Sequence, residues 1–99
     1  MKKFYHATKM SNFYSILEKG ILVGVDGIVY LAETAQEAYR FMFIRSFGEP
    51  ILVIEVELDE NTVHETFDHS YQFFKCRAFG YPGRIPLDRM TDFLKFEPE

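Results

Sequence analysis

The sequence predicts an α+β fold with two main helices and a larger number of strands. Three observations carry this. Phe13, Ile16 and Leu17 recur at helical spacing and run into Gly20; Ala35, Ala38, Tyr39, Met42 and Phe43 mark a second helical face. Residues 51–58 instead alternate with a period of two, as a strand does. Strand-like segments outnumber the two helices, so the sheet is not a simple parallel βαβ series.

In chain order, residues 4–7 read as a short strand, and Ser11 is placed to N-cap the first helix. Gly20 sits where a helix end favours a left-handed residue. Residues 24–27 carry turn chemistry before a β-branched and aromatic strand at 28–32. Thr34 with Glu37 three positions on is a capping pair, and the helix it opens runs to about Phe47 before Gly48-Glu49-Pro50 stops it. In the next strand Leu52, Ile54, Val56 and Leu58 form an apolar face. The other face passes from Ile51 and Val53 to Glu55 and Glu57, so it starts covered and emerges into solvent. Residues 59–61 read as a turn, 62–70 as a loop with a short strand, and 71–81 as extended and aromatic. Pro82-Gly83 suits the centre of a type II turn. Residues 85–90 suggest a brief helical turn, and 92–96 an edge strand.

The 99 residues, 47% hydrophobic and 26% charged, read as one domain over 1–99. Eleven Phe and six Tyr give so short a chain the large side chains its core needs. No run approaches the roughly 20 apolar residues of a membrane span, so no membrane partner is expected. No basic-then-apolar leader opens the sequence. The single Cys76 allows neither an intrachain disulfide nor a cysteine zinc site, which points to a reducing, cytoplasmic setting. A pI of 5.3 argues against nonspecific duplex nucleic acid. Charge is nonetheless segregated: residues 1–24 carry four Lys against Glu18, and 25–68 carry ten acids against Arg40 and Arg45. Residues 69–95 are basic again. If the two basic ends lie together they form a patch for a phosphate-bearing ligand; otherwise they are scattered surface charge.

Taken singly, the chemistry-bearing residues have plain readings beside functional ones. His6 is a satisfied strand histidine or a ligand-facing imidazole. Tyr30 is a strand filler or a stacking ring. Arg40 and Arg45 face solvent or reach a phosphate. His64, Glu65, Asp68 and His69 cluster in a polar segment, but their spacing fits no standard zinc pattern, and no metal is expected. Cys76 reads as a small core residue, and Phe73, Phe74, Phe79 and Tyr81 as core aromatics.

The order of local patterns says more. Tyr5-His6-Ala7-Thr8, then Ser15-Ile16-Leu17-Glu18-Lys19-Gly20-Ile21, then Gly27-Ile28-Val29-Tyr30-Leu31-Ala32 resembles the ADP-ribosyltransferase-like superfamily. That superfamily includes RNA 2′-phosphotransferases and DNA-modifying transferase toxins. The stretch from Ala38 through Arg40, Arg45 and Gly48-Glu49-Pro50 to Ile54, and later Gly83-Arg84-Ile85-Pro86, are also similar to phosphotransferase segments. The resemblance implies a split β-sheet core with NAD or a related nucleotide in a cleft between two small sheets. It implies Tyr5, His6, Thr8, Tyr30 and Arg45 as residues that hold the ligand, with His6 on the ribose and Tyr30 against the nicotinamide. A late carboxylate would stabilise the oxocarbenium-like transition state of ADP-ribosyl transfer or NAD cleavage. No Glu immediately precedes residues 73–81, and Asp68 and Gln72 are the nearest polar candidates. Gln cannot supply a negative charge. Three functions therefore stand: an NAD-dependent transferase, a nucleotide-binding module without chemistry, and a small phage or toxin-system protein acting through a protein interface.

Overall fold

In a computed structural model, which describes residues 1–24, 26–43, 48–66 and 77–97, the chain folds as α+β. Six strands, β1 (Lys2–Lys9), β2 (Val29–Ala32), β3 (Ile51–Leu58), β4 (His64–Thr66), β5 (Ala78–Tyr81) and β6 (Met90–Phe96), form one antiparallel sheet in the order β4-β5-β2-β1-β3-β6. Helices α1 (Phe13–Lys19) and α2 (Ala35–Phe43) follow β1 and β2. The two small sheets implied by the resemblance are here joined into one. No helix among the described residues is long and apolar enough to cross a membrane.

The period-two pattern sends alternate side chains to two faces, and each face has its own core. Phe4, Leu31, Leu52, Ile54, Val56 and Phe79 pack with Ile16 of α1 on one face. Ala32, Ile51 and Val53 pack with Ala38 of α2 on the other, joined by half-buried Tyr39, Leu94 and Phe96. β3 is the strand covered on both faces: Ile51 to Ile54 are buried, and only from Glu55 does its second face open. Its bounds and its emergence into solvent match the sequence reading.

Strand β1 pairs with β3 along its whole length, from Lys2↔Leu58 to Lys9↔Ile51. With β2 it pairs only at Tyr5↔Ala32. Beyond that point β2 follows β5, from Ala32↔Ala78 to Val29↔Tyr81, and the sheet forks. The α1–β2 connection is fixed beside the fork by two backbone bonds, Ile21 N–H to the Ile85 carbonyl (2.8 Å) and Ile85 N–H to the Ile21 carbonyl (3.0 Å).

Several local expectations hold. Thr34 accepts from the Glu37 N–H (3.2 Å) and its hydroxyl donates to the Glu37 carboxylate (2.9 Å), capping α2. Gly20 ends α1 at φ +80°. Two are corrected. Ser11 does not cap α1: it lies in a 3-10 turn, Met10–Asn12, and the N-cap position falls to Asn12, whose side chain caps nothing. Pro82-Gly83 is not a type II turn: the Gly83 N–H returns to the Tyr81 carbonyl (3.0 Å), two residues back, which closes a tighter γ-type turn. The end of the second helix beyond Phe43 and most of the 71–81 segment lie outside the described residues.

The two basic ends meet at one point, where Arg84 donates to the Lys19 carbonyl (2.8 Å), whereas the lysines of β1 face acid-bearing neighbours. Lys3 pairs with Glu55, Lys9 with Glu49, and Lys2 with Glu33. Arg77 forks onto Glu65 and also reaches Glu33. At the outer edge of the sheet, the Phe93 N–H is taken up by the Asp92 carboxylate (2.9 Å).

Gly20 combines a positive φ with ψ −173°, a region essentially reserved for glycine, and a Cβ there would lie 2.5 Å from the Ile85 carbonyl oxygen. Gly20→Ala should cost about 3 kcal/mol and lower the thermal midpoint by more than about 10 °C. A drop under about 3 °C in a melting experiment would contradict this close approach.

Candidate functional site

The fork leaves β1 without a neighbour on the β2 side just where His6 and Thr8 point to the α1 face. Continuing the register from Tyr5↔Ala32 would bring Ala7 opposite Tyr30, but that pairing is not made. Instead His6 Nδ1 lies 2.9 Å from the Tyr30 carbonyl oxygen. A carbonyl only accepts, so Nδ1 must carry the proton, and the neutral ring then keeps its lone pair on Nε2. Among the described residues Nε2 has no hydrogen-bond partner. Burial holds the His6 pKa below its ordinary value, with the Tyr30 carbonyl acting more weakly in the opposite sense. The imidazole is therefore neutral at pH 7, an acceptor of fixed tautomer.

Beside it opens a cleft of about 230 Å³, lined by His6, Thr8, Asn12 and Ser15 on its polar side. Ile16, Ile21 and Leu22 supply the apolar side. Thr8 is the one buried polar residue in the core among the described residues, and its Oγ1 accepts from Asn12 Nδ2 at 2.8 Å. None of the lining side chains is charged. The cleft can hydrogen-bond an uncharged hydroxylated group while its apolar wall covers a ring. At about 230 Å³ it is smaller than the usual 300–1,000 Å³ of a complete small-molecule site, so it has room for only part of a drug-sized ligand.

The structure brings together only some of the residues singled out in the sequence. His6 and Thr8 share the cleft because they are two apart on one strand. Tyr30 meets His6 through its backbone; its ring, 40% exposed, emerges by strand alternation on the other face. The Tyr30 hydroxyl donates to Asp26, whose second oxygen accepts from the Ile28 N–H (3.2 Å). Those bonds, led by the tyrosine's, hold the Asp26 carboxyl below its ordinary pKa.

Tyr5 also points away from the cleft and donates to Glu55 (2.9 Å). Thr91 (2.7 Å) and Lys3 (3.3 Å) bind the same carboxylate. The hydrogen bonds of Thr91 and Tyr5, then Lys3, lower the Glu55 pKa, while Glu55 raises that of Tyr5. Arg45, Asp68 and Gln72 lie outside the described residues, as do His69 and Cys76. Among the described residues no three of His, Cys, Asp and Glu converge as metal ligands. Asn12 and Ser15 line the cleft but were not expected there. Their signal was the run of short polar residues Thr8, Ser11, Asn12 and Ser15, which reads as ordinary helix-start chemistry.

A second hollow, about 330 Å³, lies at the other end of β1 between Lys2, Glu60, Asn61, Glu65 and Arg77. Both its cations are engaged by Glu33, and Arg77 by Glu65 as well.

His6 makes stability depend on pH with a definite sign. Its folded pKa is depressed, so as the pH falls through about 6.5 the unfolded chain binds a proton first and stability declines. His6→Asn keeps a donor near the Nδ1 position without titrating. It should flatten this decline between pH 7 and 5, read as urea midpoints; an equal decline in the variant would assign the loss to other groups.

No protein-family model matches the chain, and no curated protein matches it.

Proposed function

We propose that the fork cleft binds the ribose of NAD or a related nucleotide. The observation that carries this is the pairing of a neutral imidazole, fixed as an acceptor, with a buried hydroxyl two residues along the same strand. Each ribose hydroxyl both donates and accepts, so it matches such a pair. The apolar wall of Ile16, Ile21 and Leu22 would cover the attached ring, and the rest of a dinucleotide would lie outside the cleft. The resemblance to the ADP-ribosyltransferase-like superfamily supports the same ligand, and a reducing cytoplasm would supply it.

A reaction is a separate matter. ADP-ribosyl transfer or NAD cleavage needs negative charge near the reacting ribose. Among the described residues no carboxylate lines the cleft, which favours binding without chemistry; Asp68 is the acid named for the catalytic role.

A melting titration with NAD, with released nicotinamide read by mass spectrometry, separates these readings. Binding should raise stability by about 2.7 kcal/mol at a hundredfold excess over Kd. Thr8→Val, similar in shape but without the hydroxyl, should weaken NAD about tenfold, the cost of about 1.4 kcal/mol for one lost hydrogen bond. Released nicotinamide would make the chain a transferase or hydrolase, and a shift without product a binding module. No shift at millimolar NAD would overturn the nucleotide reading. The exposed Tyr14, Leu17, Leu22 and Val23 would then point to a protein partner.

A further inference from the structure

Asn12 holds the N-cap position of α1, where asparagine is among the best residues for accepting a backbone N–H. It makes no such bond. Its backbone stands at φ −87°, ψ 0°, and its side-chain amide turns back to donate to Thr8 Oγ1 at 2.8 Å. The Asn12 side chain at the helix start is thus committed to a residue of the preceding strand rather than to the helix. Both partners line the cleft, and Thr8 is buried.

The bond has a consequence for the cleft. A hydroxyl has one proton and two lone pairs. With the Asn12 N–H on one lone pair of Thr8, the hydroxyl proton is directed elsewhere, and no described residue accepts it. We propose that Asn12 is a positioning residue that sets the polarity of Thr8. It makes the Thr8 hydroxyl a donor into the cleft, opposite the His6 Nε2 acceptor. The two then form a fixed donor–acceptor pair that selects a ribose with both hydroxyls free. This rests on the reading of the cleft as a ribose site.

The variant that tests it is Asn12→Asp. Asp serves an N-cap as well as Asn does and favours a helix start electrostatically, so stability should be unchanged or raised. A carboxylate, however, can only accept. It would draw the Thr8 proton away from the cleft and leave two acceptors facing the ligand. NAD affinity, measured by calorimetry, should fall tenfold or more while the melting midpoint holds.

An added negative charge could weaken NAD on its own, and a cycle with Thr8→Val separates the two causes. If Asn12 acts through the Thr8 hydroxyl, Asn12→Asp has little further effect in the Thr8→Val background. If charge alone acts, the loss is the same in both backgrounds and the proposal is overturned. Asn12→Ala removes the donor without adding charge and should weaken NAD by a smaller factor, since the freed hydroxyl can still rotate. Equal NAD affinity in Asn12→Asp and the parent also overturns the proposal, with the ribose reading left standing. A parent chain that binds no NAD overturns both.

Discussion

The molecule is organised by an unequal sharing of β1. One side of this strand is fully paired to β3, while the other meets β2 at a single position, Tyr5↔Ala32. The full ladder anchors the two cores, since Phe4 and Ile54 face one of them and Ala7 and Val53 the other. The incomplete ladder leaves backbone groups that a continuous sheet would have satisfied. The imidazole of His6 supplies a partner for one of them, the Tyr30 carbonyl. The bond that closes the fork also settles which ring nitrogen keeps its lone pair. Architecture and chemistry therefore meet in one side chain.

Electrostatics plays a smaller part than the sequence's segregated charges suggest. The lysines of β1 meet acids of the middle segment because the register of β1 on β3 sets Lys3 against Glu57 and Tyr5 against Glu55, and Lys3 reaches Glu55. Pairs such as Lys9–Glu49, with both side chains more than a third exposed, contribute little to stability. What they do is leave the cleft the more neutral of the two hollows along β1. The hollow at the Lys2 end carries two cations and two carboxylates, and the one at the Thr8 end carries none. The two ends of β1 thus differ in character: one hollow is lined by uncharged side chains, and the other is taken up by its own ion pairs.

Where physical effects are local, the sequence was readable. The alternation of residues 51–58 reproduces β3 because its periodicity is the consequence of burial on two faces. The Thr34–Glu37 pair and the positive φ of Gly20 likewise follow from neighbouring residues alone. Long-range bonds decided the rest. Ser11 reads locally as a cap, but the 3-10 turn Met10–Asn12 takes it up, and the Ile21↔Ile85 bridge fixes a connection that no local pattern announces. The site followed the same division. His6 and Thr8 fall on one face by strand period, whereas the placing of Tyr30 depends on where β1 and β2 part company. Nothing in either segment encodes that fork by itself.

The central place of β1 also bears on how the chain reaches this state. Its only full partner, β3, begins more than forty residues further on, and the β2 contact comes more than twenty residues after Tyr5. A nascent chain therefore exposes Phe4 and an unpaired strand until residues 51–58 emerge to sequester them. Loop closure of that length must precede any reward, which slows folding and lengthens the interval in which the apolar strand is open to aggregation. The strand that carries the cleft therefore begins its life as an open apolar edge.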